Sequence, residues 1–240
     1  MRRLSLLFGA LFFVVVQLNA QWKWTLHAET GLNKQDVSAV SNLVQQNELD
    51  PKAYWKFAAS GGVELSYTVL KFATVFSGLG YVKTNGRYVT SQNEYNPDGS
   101  LLATYTSDKL TTADMISLPF GLQLNAWKLH VGGGIECRYR VAGSMTTDYS
   151  SIAAFASNST NLGSVVSANT NAKLDYGYFA YASFNFTKRF GCKISYYEGQ
   201  RDLSNGLEFG AWKEWAQSVG NSIFSLNNKQ MTLGVYLKIN

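Results

Sequence analysis

Apolar and polar residues alternate along two arms of the segment from Ile116 to Val141, and only a few residues join the arms. In the first arm the apolar positions are Ile116, Leu118, Phe120, Leu122 and Leu124. In the second arm they are Leu129, Val131, Ile135, Cys137, Tyr139 and Val141. Side chains of a strand point alternately to its two faces, so this pattern predicts an antiparallel hairpin with one apolar face. Arms of about ten residues have the length that a membrane-spanning strand needs.

The same alternation recurs in six further segments, which gives eight predicted strands. They cover residues 22–32, 56–67, 72–82, 116–125, 129–141, 174–187, 191–198 and 230–240. Each even strand leads into a turn of a few residues, and each odd strand leads into a long loop. The long loops cover residues 33–55, 83–113, 143–173 and 201–228.

Some long loops carry local signals of their own. Apolar residues recur at helical spacing after Asp36 and again from Trp212 to Val219, so each stretch predicts a short helix. The sequence Asn96-Pro97-Asp98-Gly99 predicts a turn within the second long loop.

An even number of strands with strictly asymmetric connections is typical of outer-membrane barrels. We therefore expect an all-β fold: an eight-stranded antiparallel up-and-down transmembrane β-barrel with short periplasmic turns and long extracellular loops. A closed barrel leaves no strand edge unpaired, which the lipid environment demands.

Alternation alone does not say which face is the interior, and a soluble barrel of lipocalin type would point its apolar face inward. Two further features favour the membrane. Aromatic residues gather near the strand ends, as Trp22 and Trp24 do at the start of the first strand. The polar face carries glycine, serine and charges of both signs, which suit a narrow polar interior.

The first twenty residues have the composition of a secretory signal peptide. Arg2 and Arg3 precede a mostly apolar run, which ends near the small residue Ala20. We expect cleavage after Ala20, a single barrel domain over residues 21–240, and export to the outer membrane of a Gram-negative bacterium.

The charge and cysteine content narrow the function classes. Without Arg2 and Arg3, the 21 basic residues become 19 against 16 acidic ones, a scattered net charge of +3 that gives no footprint for nucleic acid. Cys137 and Cys192 fall on predicted strands that another strand separates. Two strand spacings exceed the reach of a disulfide, so we expect both cysteines to be unpaired.

Charged residues on the polar face form the first candidate site. They are Glu29, Glu64, Glu136, Arg138, Arg140 and Lys193. Such a set could line an ion path or a gate. The favoured interpretation is a structural salt-bridged network, because eight strands leave room only for side chains and buried charges require partners.

The sequence offers little support for a catalytic site or a metal site. His27 and His130 are the only histidines, and no serine is set beside His130 as a nucleophile would be. Two histidines and two cysteines without ligand spacing predict no metal site. The run Gly132-Gly133-Gly134 lies within a strand, which favours close packing over phosphate binding. We expect neither an enzyme nor a cofactor.

Aromatic residues on the long loops are the second candidate site, with Trp212 and Trp215 foremost. Exposed aromatics often mark binding surfaces, yet these two could equally pack on each other or lie at the lipopolysaccharide interface. The expected partners are outer-membrane lipid, lipopolysaccharide and an envelope or extracellular protein.

The segments ISLPFGLQL, LHVGGGIECRYRV, LDYGYFAYASFNF and GCKISYYEG resemble strands of the PorT-like and OmpX-like outer-membrane barrels of Bacteroidetes. This resemblance implies a small outer-membrane barrel, and some members of these families assist protein secretion.

The sequence thus favours a small barrel without a wide pore, acting as a structural or surface-binding protein through its extracellular loops. An accessory component of secretion or envelope assembly is the alternative. A lipid-modifying enzyme and a soluble ligand-binding barrel follow as weaker hypotheses.

Overall fold

The computed structural model of the protein describes residues 22–39, 50–148, 165–168, 174–201 and 224–239. Strands are the regular structure of these ranges. In chain order they are β1 (Trp22–Ala39), β2 (Asp50–Tyr54), β3 (Lys56–Leu70), β4 (Ala73–Tyr95), β5 (Leu101–Ala126), β6 (Leu129–Asp148), β7 (Val165–Ala168), β8 (Leu174–Asn185), β9 (Phe190–Gly199) and β10 (Phe224–Ile239). The predicted signal peptide lies outside the described residues.

Eight of the ten strands close into an antiparallel barrel, as the sequence predicts. Around the wall the order is β4, β3, β1, β10, β9, β8, β6 and β5, and pairing of β4 with β5 completes the ring. The short strands β2 and β7 pair with the outer parts of β4 and β6. Because the ring is closed, its backbone groups find partners within the wall.

The apolar face of the wall points outward. On β5, Leu118, Phe120, Leu122 and Leu124 are between 54% and 62% exposed, whereas Ser117, which precedes them on the opposite face, is 5% exposed. An exposed apolar surface that encircles the barrel is unsuited to water and suited to lipid. The soluble alternative with an apolar interior is therefore wrong.

Aromatic side chains flank this apolar band at both ends. At the short-turn end, Trp22 packs on Tyr67 with ring centroids 4.7 Å apart, and Phe186 packs on Phe190 at 5.8 Å. Exposed tyrosines lie toward the other end, at Tyr81, Tyr139, Tyr176 and Tyr178. Girdles of this kind border the lipid-facing band of transmembrane barrels. Among the described residues, no helix is long and apolar enough to cross a bilayer.

The prediction of a long loop over residues 83–113 is wrong. Strands β4 and β5 continue as a paired hairpin until Tyr95 meets Leu101. The turn predicted at Asn96–Gly99 is present: the Gly99 amide donates to the Asn96 carbonyl at 2.9 Å, and Gly99 has a φ of 81°. Glycine adopts such a φ without steric cost.

The three other predicted long loops are also partly strand, the last of them because β10 begins at Phe224. Instead of starting a helix at Asp36, β1 stays paired with β10 until Ala39 meets Phe224. Strand β6 reaches Asp148, well into the predicted third loop. Beyond the apolar band both faces of these strands are polar, so the alternation that marks a lipid-facing strand disappears although the pairing continues.

Both cysteines are free, as predicted. Cys137 lies on β6 and Cys192 on β9, with β8 between them. The separation of their strands explains why no disulfide forms.

Candidate functional site in the barrel lumen

Arg138 is the centre of the first cluster of lumen side chains. It is 4% exposed and donates to Glu136 at 2.8 Å and to Gln230 at 2.6 Å. Its guanidinium lies 3.4 Å from the centroid of the Tyr197 ring. These contacts join β6, β9 and β10 across the interior. A buried cation with a carboxylate, an amide and an aromatic face around it is well compensated.

Asp175 and Asn228 extend this cluster, and neither is among the site residues predicted from the sequence. The Asn228 amide donates to Asp175 at 3.0 Å, and both residues are 2% exposed. Asp175 is the second residue of β8 and Asn228 precedes the regular alternation of β10. Asn228 falls at the end of the predicted last loop, and Asp175 is a single polar residue at the start of an aromatic strand, so neither counts among the predicted interior charges.

Glu29 is the centre of the second cluster. Its carboxylate lies 3.2 Å from Lys193 Nζ and 3.2 Å from His27 Nδ1. It also accepts hydrogen bonds from Ser195 at 2.8 Å and from Thr232 at 2.5 Å. The four partners come from β1, β9 and β10. This density of donors fixes one buried carboxylate firmly.

The structure brings four of the six predicted interior charges into these two clusters: Glu29 with Lys193, and Glu136 with Arg138. Glu64 faces the lumen without a direct ion pair in the described part of the chain and borders the cavities above and below it. Arg140 is partly buried beside Gly143, near the long-loop end of β6. The ion pairs given above therefore form two clusters, one around Glu29 and one around Arg138.

Three aromatic rings fill the lumen next to these charges. Phe76 lies 5.9 Å from Phe179 and 5.7 Å from Tyr181, measured between ring centroids. The Tyr181 hydroxyl donates to Gln123 at 2.7 Å, and Lys193 Nζ lies 4.5 Å above the Tyr181 ring. The appearance of Phe76 on a face of small residues was the available sequence signal for this plug.

Glycines on the inner face make room for the rings. A Cβ atom at Gly132 would lie 2.5 Å from Cζ of Tyr181, and one at Gly121 would lie 2.8 Å from Cζ of Phe76. Both separations are far below van der Waals contact. Gly132 thus serves close packing, as expected from its place within a strand.

The filled lumen leaves cavities on either side of the plug. One, of about 60 Å³, lies among Glu29, Glu136, Arg138 and their neighbours. A larger one, of about 210 Å³, lies toward the short-turn end. The side chains between them occupy the barrel axis, in the way that the structural interpretation of the charges predicts.

Above the apolar band, β4 and β5 carry a polar pair on their outer face. Arg87 donates to both carboxylate oxygens of Asp108, at 3.0 Å and 2.6 Å, and stacks 5.2 Å from the Tyr54 ring centroid. The hydrogen bond to Asp108 raises the pKa of Arg87. This bidentate pair marks a part of the hairpin that stands in water.

On the inner face of the same hairpin, Lys109 is 1% exposed and its Nζ lies 5.6 Å from the Tyr88 ring centroid. Burial lowers the pKa of Lys109 to about 7. The amine is thus poised to lose its proton near neutral pH, far below the usual range of lysine.

The two histidines have structural neighbours. His27 contacts Glu29, and His130 contacts the Asn185 amide and lies 3.5 Å from Lys238 Nζ. In the ranges that the structure covers, no group of three histidine, cysteine or acidic side chains could hold a metal ion. Trp212 and Trp215, the candidate binding residues of the last loop, lie outside the described residues.

Comparison with known proteins yields a fold likeness only. No protein-family model matches the sequence, and no curated protein does. Among solved structures, Ail, the attachment invasion locus protein of Yersinia pestis, is 12% identical, with a TM-score of 0.38 and coverage of 90% of this chain and 99% of Ail.

Two further likenesses are of the same order. The outer membrane protein OprG from Pseudomonas aeruginosa is 9% identical, with a TM-score of 0.38 and coverage of 90% and 96%. The outer membrane protease OmpT from Escherichia coli is 7% identical, with a TM-score of 0.40 and the same coverage. At these values none of the three bears on what this protein binds or does.

Proposed function

We propose that this protein is a small outer-membrane β-barrel that acts as a structural and surface-binding protein through its extracellular part. The observation that carries the proposal is the orientation of the wall: an apolar band with aromatic flanks faces outward, and paired charges with aromatic rings fill the interior. A barrel with that cross-section belongs in a bilayer and offers its lumen to no large solute.

The hairpin of β4 and β5 supports the surface-binding part of the proposal. It runs from the level of Tyr81 and Ile116, where the apolar band ends, to the turn after Tyr95. A strand rises about 3.3 Å per residue, so the hairpin continues for about 45 Å along its axis beyond the band. Only the part of a barrel that leaves the headgroup region can meet a partner outside the cell.

Location and fold are tested together by fractionation and gel mobility. We expect the protein in the outer-membrane fraction, and we expect the detergent-folded barrel to migrate differently before and after boiling. Recovery in the soluble periplasmic fraction, or identical mobility in both samples, would contradict the proposal.

Surface binding is tested by shortening the hairpin. Thr90 pairs with Ser107, so replacing residues 90–107 with Asn-Gly should close a shorter hairpin and leave the lower wall intact. We expect cells that display this variant to lose cell–cell aggregation and adhesion to glass. A double variant, Trp212→Ala with Trp215→Ala, tests the last loop in the same assays. If both variants retain wild-type adhesion, the surface-binding role is wrong.

Membership in the PorT-like family of Bacteroidetes, and the accessory role in secretion that it implies, stay predictions. Cross-linking in native membranes followed by purification of the barrel separates the alternatives. Stable capture of a secretion component would favour the accessory role over adhesion.

A further inference from the structure

The larger cavity of the lumen opens at the short-turn end and has a volume of about 210 Å³. Four lysines and two histidines line it, together with a single carboxylate: Lys23, Lys71, Lys193, Lys238, His27, His130 and Glu64. This space is large enough for an oxyanion of phosphate size with several ordered waters. The ion pairs of the upper lumen, around Glu29 and Arg138, do not need this cavity in order to form.

The lysines of this cavity occupy one wall. Lys238 lies on β10, Lys23 on the adjacent strand β1, and Lys71 in the turn that follows the next strand, β3. The facing wall offers neutral polar groups from β5, β6 and β8: Gln123, Asn125, His130 and Ser183. An anion in the cavity would meet ammonium groups on one side and neutral hydrogen-bonding groups on the other.

The acidic residues present do not neutralise this wall. Lys193 is bridged to Glu29 at 3.2 Å, and Glu64 offsets one of the other three lysines. Within the part of the chain that the structure describes, two positive charges remain without a carboxylate. Among the described residues, neither Lys23 nor Lys71 forms an ion pair, and Lys238 donates only to neutral atoms, with Asn185 Oδ1 at 2.9 Å. Cations gathered in a polar recess without counter-charges favour an anion.

The turns around the opening point the same way. The three short turns, residues 68–72, 126–129 and 186–190, contain four basic residues and no acidic one. These are Lys71, Lys128, Lys188 and Arg189. A basic rim around the opening raises the local concentration of anions.

We propose that this cavity binds a phosphate group at the short-turn face of the barrel. Lys23, Lys71 and Lys238 are the residues that bind it. A phosphate carries up to two negative charges at neutral pH, which matches the two unneutralised cations, whereas a single carboxylate would leave one of them uncompensated. The phosphate can belong to a free ion or to a lipid headgroup that ends in a phosphomonoester, which also carries up to two negative charges, and this binding is independent of the surface-binding role.

The test is calorimetric titration of the full barrel, folded in a phosphate-free maltoside detergent, at constant ionic strength. The probes are inorganic phosphate, short-chain phosphatidic acid and acetate. We expect phosphate or the lipid to bind with a saturable isotherm and acetate to bind at least about tenfold more weakly. Binding of phosphate alone assigns a free ion, and binding of the lipid alone assigns a headgroup. Absence of binding by both overturns the proposal.

Variants show whether the cavity is the site. Lys23→Gln with Lys238→Gln should weaken binding by at least about tenfold, the effect of losing charged hydrogen bonds. Lys83→Gln is the matched control, since Lys83 is exposed on β4, away from the short turns and outside the cavity lining. We expect it to bind as the wild type does. Equal weakening in the control and the double variant would mean general charge attraction and would overturn the proposal.

Gel mobility before and after boiling checks that each variant folds. If the double variant does not fold, Lys71→Gln takes its place, because Lys71 is exposed in a turn and its loss leaves the wall unchanged. A partly solvated lysine contributes less, so we expect about a threefold loss of affinity. Wild-type affinity in Lys71→Gln would then overturn the proposal.

Discussion

At the scale of single residues, the interior contains buried charges that are tolerated only when they are paired. Arg138 and Glu136 are both buried, and each would be costly without the other. The desolvation of a buried ion pair offsets much of its attraction, so such a pair adds little net stability while the loss of one member is severe. These residues hold the wall in one arrangement.

Arg138→Met should therefore destabilise the barrel by about 3–5 kcal/mol, because Glu136 would stay buried without its partner. Adding Glu136→Gln should recover part of the loss. Urea unfolding of the detergent-folded protein measures both changes. Wild-type stability in the single variant would show that Arg138 does not face the lumen.

The buried amine of Lys109 predicts that the stability of the β4–β5 hairpin depends on pH. Its pKa is lowered to about 7 by burial, while in the unfolded chain the amine stays charged to about pH 10. The folded state thus binds fewer protons between these values, and stability rises with pH in this window. From pH 6.5 to pH 9 we expect about 2–3 kcal/mol of extra protection for hairpin amides.

Hydrogen exchange, corrected for intrinsic rates, measures that protection. Lys109→Met removes the titrating group, so its hairpin should show no such pH dependence. An equal pH response in the variant and the wild type would assign the effect to another group.

At the scale of elements, pairs of complementary residues on neighbouring strands shape the plug. Gly132 on β6 and Tyr181 on β8 lie opposite each other in the register, and the absence of a side chain at one leaves space for the ring of the other. Neither residue explains the plug by itself.

Gly132→Val should destabilise the barrel by about 1–3 kcal/mol, because the added carbons overlap the Tyr181 ring. The double variant with Tyr181→Ala should be less destabilised than the two single losses combined, since the smaller side chain removes the overlap. Unfolding in detergent measures this coupling. Strict additivity would mean that the two side chains do not meet.

The lipid-facing strands could be predicted from sequence because lipid imposes a period of two on them. The segment from Leu118 to Leu124 is the clearest case, since every outward position there is apolar. The outer half of the hairpin faces water on one side and a polar interior on the other. Arg87 and Asp108 lie on the same exposed face there, and their pairing depends on strand register, which the sequence pattern does not reveal.

The candidate site could likewise be predicted only in part. The inward direction of Glu29 and Arg138 could be read from alternation alone. Their partners could not, since Gln230 is 92 positions from Arg138 and Thr232 is 203 positions from Glu29. The closure of the barrel brings these partners together, and the sequence around each residue does not show which distant residue it will contact.

At the scale of the whole molecule, the aromatic plug interrupts the lumen of the barrel wall that the structure describes. The cavities of about 60 Å³ and about 210 Å³ lie on opposite sides of Phe76 and Tyr181. Ion flow would therefore require movement of buried, hydrogen-bonded side chains.

Conductance measurements in planar bilayers test whether the aromatic rings block the lumen. We expect no stable conductance steps of porin size from the wild type, and we expect measurable leak from Phe76→Ala with Tyr181→Ala, which together remove the rings from the axis. Steady large steps from the wild type would contradict a filled lumen.

The seam between β1 and β10 has a consequence for biogenesis. It joins Trp24 to Ile239 at one end and Ala39 to Phe224 at the other, so the wall closes only when these distant segments meet. Until then the growing sheet has two unpaired edges, which are prone to aggregate in water and costly in lipid. All strands of the wall must therefore be exported before any of them is protected from aggregation. A chain arrested before β10 should depend on periplasmic chaperones and be degraded.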